Sequence, residues 1–274
     1  YNAKAGGVPL VVTVGQNHSR LLQRDPHLSG DIVGMAKPHV KWCTEIAHAE
    51  DVPTVIQRAF KMALQPPTGP VLVSLPQDTL SGELDFTYRP NTTGYPHLRP
   101  DAAALARAVE ILAAAERPLL LVESGVARCD ALDEVVRFAE LTGAPVYQSW
   151  MADVNFPVDH PQYLGDFDLN SPATAALLAG VDVFVAVGCS LFAESFFAPD
   201  LPSLAGAKII HIDDDPWEIG KNLPTDCGLQ GDIKTVLAEL NEVLERVLPA
   251  EARERARRRV AGAATEKAEA EAAL

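Results

Sequence analysis

Apolar positions along the chain change period in a definite order, and that order predicts the architecture. Strand-like runs, "VPLVVTV" at 8–14 and "PVLVSL" at 70–75, flank a stretch at 50–65. In that stretch Val52, Val55, Ile56, Ala59, Phe60 and Ala63 recur at three- and four-residue spacings, which predicts an amphipathic helix. Between them "HVKWCTEI" reads as a further strand. Strand, strand, helix, strand is too few elements for a complete doubly wound domain and fits the second half of one, over residues 1–80. Residues 81–100 carry proline and glycine without sustained periodicity, which predicts a linker laid over the surface.

From Asp101 the rhythm becomes regular. A helix at 101–116 precedes "PLLLVES", a helix at 130–142 precedes "PVYQSW", and a helix at 172–180 precedes "DVFVAVG". Then come "AKIIHID", a short helix opened by Pro216, a segment near 226–231 and a helix at 232–247. Alternation of this kind predicts an α/β domain over 101–248, a doubly wound, Rossmann-like parallel sheet covered on both faces. The four clear strands end in "SGV", "SWM", "GCS" and "DDD", so small and acidic residues share the carboxyl edge, where open α/β sheets bind ligands. Asp213, Asp214 and Asp215 stand there either to hold a ribose hydroxyl or to cap the helix that follows. The tail, 249–274, is rich in Ala, Glu and Arg with no apolar stripe able to join a core, which predicts a charged helical tail or linker. Its arginines from Arg253 to Arg259 read as a solvated face, because acids dilute them and no aromatic residue interleaves.

Composition narrows the partners. The 274 residues are 47% hydrophobic and 22% charged, enough for one large or two medium domains. Subtracting 37 acids from 23 lysines and arginines leaves −14, which argues against nucleic acid or an anionic membrane as a partner. Cys43, Cys129, Cys189 and Cys227 are scattered without a C-x-x-C pair, so neither a metal site nor a disulfide framework is predicted. No apolar run approaches the roughly 20 residues of a membrane span, and no signal-peptide pattern opens the chain, so a cytoplasmic protein is expected. The start, "YNAKAGGVPLVVTVG", runs at once into a strand and reads as a chain that begins inside a domain.

Several stretches together carry a resemblance. "PLVVTVGQ" at 9–16, "VKW" at 40–42, "GPVLVSLPQD" at 69–78, "ERPLLLVESGV" at 116–126, "LTGAPVYQSW" at 141–150, "VDVFVAVGCSLF" at 181–192 and "HIDDDPWEIGKN" at 211–222 resemble the thiamine-diphosphate-dependent enzymes. The resemblance is to the branch that holds benzoylformate decarboxylase and acetolactate synthase. It implies that 1–80 is the back half of a pyrimidine-binding domain and 101–248 the middle domain. It also implies thiamine diphosphate and Mg2+ as cofactors of the parent enzyme, a 2-oxo acid substrate, and a homodimer or homotetramer.

By the same resemblance Gln16 faces cofactor or substrate, and an amide there donates to a carboxylate or a developing alkoxide. The alternative for Gln16 is a loop residue bonded to nearby backbone. His18 is a further titratable neighbour. A nucleotide in the middle domain would be held by Gly125, Gly188, Asp213, Asp215 and Asp232. Flavin-binding relatives place an arginine after the Gly188 strand, whereas Cys189, Ser190, Leu191 and Phe192 stand here and no arginine follows before Arg246. FAD or ADP is therefore possible but not favoured, for want of a cation beside the acidic edge. Where the benzoylformate decarboxylase pattern has a histidine the alignment places Ser195, with Glu194 beside it. The activating glutamate falls upstream of Asn2, and the Gly-Asp pairs at Gly30, Gly165 and Gly231 lack the following glycine of a diphosphate motif. These features imply a central piece that is inactive alone. The competing reading is a stand-alone nucleotide-binding module.

Overall fold

The computed structural model describes residues 1–90, 97–149, 153–192, 204 and 206–272. Ser195 and Glu194 lie outside them. The chain divides into two compact units, Tyr1–Pro96 and His97–Leu274.

In the first unit α1 (Asn2–Ala5) leads into β1 (Val11–Gln16), α2 (Ile32–Ala36), β2 (Trp42–Glu45), α3 (Val52–Leu64), β3 (Val71–Pro76) and α4 (Gln77–Ser81). The three strands are parallel in the order β1-β3-β2, so Gln16, Glu45 and Pro76 end on one edge. The core is small, built on Ile46, Ala59, Ala63, Val71 and Val73. Phe60, expected on the buried face of the helix, is 54% exposed, and Met62 packs against the core instead.

The second unit comprises α5 (Ala102–Ala114), β4 (Pro118–Val122), α6 (Gly125–Arg128), α7 (Leu132–Thr142), β5 (Val146–Ser149), β6 (Tyr163–Phe167) and α8 (Pro172–Leu178). It continues with β7 (Val183–Val187), β8 (Lys208–Asp213), β9 (Cys227–Gln230), α9 (Ile233–Val247) and α10 (Ala250–Ala272). Its sheet is parallel with the order β6-β5-β4-β7-β8-β9, the doubly wound arrangement in which strand order reverses beside the first strand, β4. Leu120 and Val122 point into the core shared with α5, α7 and α9, while Leu119 and Leu121 point into the opposite one with Phe184 and Leu178. Asp101 caps α5 and Asp232 caps α9, each accepting from backbone N–H groups of the first turn.

Three expectations are corrected here. β6 was not foreseen; it pairs on one side only, across a bulge, and contains Gly165 and Asp166. After Asp213 no helix forms: turns run through Pro216–Gly220, because Asp213 and Asp215 each accept a backbone N–H two residues on. The tail does join the core, through Ala252, Ala256 and Ala263 on α10. No helix among the described residues is long and apolar enough to cross a membrane.

Candidate functional site

The reversal of strand order opens the carboxyl edge between β4 and β7, and the loops after those two strands meet there. Gly125 N–H donates to Gly188 O at 3.0 Å. A Cβ on Gly125 would lie 2.4 Å from Gly188 Cα, and Gly188 has φ +63, so glycine is required at both positions. The glycines are brought together as expected of a sheet edge, yet each fills the face of the other.

Around that contact the polar groups form a connected set. Glu123, the residue after β4, accepts from Ser149 Oγ through Oε1 and from Ser190 N at 3.2 Å through Oε2. Ser190 Oγ donates to Glu218 Oε2 at 2.6 Å, and Lys221 pairs with the same carboxylate. His211, fully buried in β8, bonds Cys189 O through Nε2 at 3.0 Å, so Nε2 carries the proton. Its Nδ1 has no partner among the described residues, and burial holds the imidazole below its ordinary pKa.

Asp213 ends β8 at 1% exposure, and Gly231 N–H donates to its carbonyl at 3.1 Å. Burial pushes its carboxyl up to about 8, with the Asp214 charge adding and the Asp215 N–H opposing. Asp215 Oδ1 accepts from Trp217 N at 2.9 Å. Asp214 pairs with Arg128 of α6 at 3.2 Å. The acidic edge therefore has a cation after all. It was missed because it arrives from the β4 side, across the strand order, rather than from the chain after Gly188. Asp232 lies beyond Gly231, its Oδ1 holding Thr235 N at 2.9 Å and its Oδ2 3.1 Å from His97 Nδ1. Burial works to raise its pKa, but the bonds from Thr235 and His97 prevail and hold it low.

Gly125, Gly188, Asp213, Asp215 and Asp232 thus share one edge of the second unit, and Gln16 belongs to the first. Gln16 is nearly buried at the end of β1, where Nε2 donates to Gly30 O at 3.0 Å and Oε1 accepts from Asn17 N at 2.9 Å. It lines a cavity of ≈ 420 Å³ with Asp25, Ser29, Asp31 and Glu45. His18 caps the turn that follows, Nδ1 accepting from Arg20 N at 3.3 Å. Glu45 and Glu123 were overlooked in the sequence, although each closes an apolar strand just as Gln16 and Asp213 do.

Residues 105–240 match the family described as thiamine pyrophosphate enzyme, central domain. The chain carries the central domain of the thiamine pyrophosphate enzymes. It is 36% identical over 251 residues to the acetolactate synthase large subunit of Corynebacterium glutamicum, which covers 88% of this chain and 39% of that one. A putative thiamin diphosphate-dependent enzyme from Mycobacterium smegmatis superposes with TM-score 0.79 at 33% identity, over 90% of this chain and 48% of its own. The benzoylformate decarboxylase of Polynucleobacter necessarius gives TM-score 0.79 at 30% identity, over 88% and 45%. The chain thus spans less than half the length of each of these relatives.

Proposed function

We propose that residues 1–274 are the central part of a thiamine-diphosphate-dependent 2-oxo acid carboligase or decarboxylase. The observation that carries this is the continuous 36% identity to an acetolactate synthase over 88% of the chain, across both units. Thiamine diphosphate, when bound, supplies the carbanion and the electron sink for loss of carbon dioxide. The residues described here do not fit its diphosphate. The cavity beside Gln16 is lined by Asp25, Asp31 and Glu45 and by no cation, and no cluster of His, Cys, Asp or Glu among the described residues is arranged to hold a metal. In this reading the Mg2+–diphosphate clamp and the activating glutamate lie outside residues 1–274, and the working enzyme is a homodimer or homotetramer. Gln16 is the polar contribution of this chain, its amide aimed by Gly30 and Asn17 and keeping a second N–H for substrate or cofactor. FAD or ADP is not part of the proposal. At the strand-order reversal Gly125 and Gly188 cover each other, and Glu123 takes the Ser190 N–H that would otherwise meet a phosphate.

The test is turnover of pyruvate and benzoylformate by the full gene product with thiamine diphosphate and Mg2+. Consumption of a 2-oxo acid is expected, with kcat/KM about tenfold or more lower in Gln16→Ala, the loss of one hydrogen bond to a charged group. Residues 1–274 alone should be inactive. Turnover by that piece, or none by the full product, would overturn the proposal.

A further inference from the structure

At the opposite, amino edge of the second sheet a cavity of ≈ 360 Å³ opens between the starts of β4, β5 and β7 and the face of α10. That is within the range of small-molecule sites. Its floor is aliphatic: Leu119, Leu164, Leu177 and Val181. Its rim carries both signs of charge. Arg117 and Glu266 line the same cavity, yet neither guanidinium nor carboxylate has a hydrogen bond or an ion pair among the described residues, with each other or with anything else. Glu116, by contrast, is already paired with Arg255 at 3.2 Å. Arg259 also lines the cavity; its Nη atoms are spent on the carbonyls of Ala115, Glu116 and Thr142, while its buried Nε–H has no partner.

Gly262 faces the same space from α10. Glycine inside a helix costs about 1 kcal/mol relative to alanine. A Cβ there would meet nothing within 4 Å, so packing does not call for the glycine; what it leaves is room in the cavity.

We propose that this cavity is a binding site for a small zwitterion with an aliphatic side chain, an α-amino acid of about the size of leucine. The carboxylate takes the Arg117 guanidinium, the ammonium takes Glu266, and the side chain lies on Leu119, Leu164, Leu177 and Val181. An ion of one sign would satisfy one rim charge and leave the other facing the ligand unpaired. The site lies at the sheet edge away from Gly125 and Gly188 and does not depend on the reaction proposed above.

Calorimetric titration of the full-length protein with L-leucine, 4-methylpentanoate and 3-methylbutylamine tests this. L-leucine should bind at millimolar concentration or below, and the two analogues, each lacking one charge, about tenfold more weakly, since a charge-assisted hydrogen bond is worth roughly a factor of ten. Arg117→Ala should weaken L-leucine about tenfold, and Glu266→Gln should erase its advantage over 4-methylpentanoate. Both residues are exposed, so both variants should fold, and Gly262→Leu, which fills the cavity, should abolish binding. No binding of L-leucine, equal binding of 4-methylpentanoate to the unaltered protein, or affinity unchanged in all three variants would overturn the site.

Discussion

Asp213 is a carboxyl placed where the fold favours its neutral form, and that gives it a measurable signature. Its folded pKa of about 8 stands above the ordinary 3.8. A proton held more tightly in the folded state stabilises the fold; the contribution is complete below the unfolded pKa and is lost as pH rises toward 8. Each unit of difference corresponds to about 1.4 kcal/mol. His211 acts in the other direction, because burial lowers its pKa and its contribution is lost as pH falls below 6.5. Asp213→Asn should therefore take away a loss of stability that runs from about pH 4 to pH 8, while the loss that His211 adds below 6.5 stays the same in both proteins. Parallel Tm profiles for wild type and variant over that window would count against a neutral Asp213. The run of three aspartates was legible as the end of a strand, but what relieves their repulsion was not. Turn N–H groups are local and follow from Asp and Pro spacing; Arg128 reaches Asp214 only because β4 and β8 flank β7, which no local pattern encodes.

Among the elements, α10 shows how a segment can be recognised as a helix and still be misplaced. A stripe of alanines is weakly hydrophobic, so Ala252, Ala256 and Ala263 leave little trace in an apolar periodicity. Cations then fasten the helix. Arg255 donates to Ala113 O at 2.9 Å, and Arg259 donates to Thr142 O at 2.6 Å and to Ala115 O, so both bond carbonyls at or just past the carboxyl ends of α5 and α7. Those ends carry unsatisfied carbonyls and partial negative charge. Gly143, with φ +66, permits the close approach, since a Cβ there would lie 2.5 Å from Ala256 O. The stretch read as a solvated basic face is thus in part a set of caps supplied from outside two other helices. Arg259→Ala should lower unfolding free energy by about 1.5–3 kcal/mol, the range for hydrogen bonds to a charged donor, whereas Arg258→Ala, for which no such bond is seen among the described residues, should change it by less than about 0.5 kcal/mol. Denaturant melts of the two variants decide it; equal losses would mean that α10 is not fastened through Arg259.

At the scale of the whole molecule the two units differ in how much they bury. The second has a sheet covered on both faces, and its alternating pattern was readable because the central strands β4, β7 and β8 are near-continuous apolar runs bounded by turns. The first encloses few residues and leaves Leu28 at 99%, Met35 at 67%, Phe60 at 54% and Leu64 at 51% exposure. Periodicity assigned Phe60 to the buried face because the helical spacing is right, and spacing alone cannot say which apolar side chains this chain covers by itself. Phe60 and Leu64 lie one turn apart on α3 and therefore present a common patch. Under the proposed homo-oligomer such side chains are where a second copy gains apolar burial, about 1.5–3 kcal/mol for a residue of this size. Sedimentation velocity over a concentration series should show self-association, and Phe60→Ser together with Leu64→Ser should weaken it by at least about tenfold, since roughly 1.4 kcal/mol is a factor of ten. The double variant should retain its melting transition, because neither side chain contributes to the core around Val71 and Val73. A monomer at every concentration, or association undiminished in the double variant, would remove this face from the assembly.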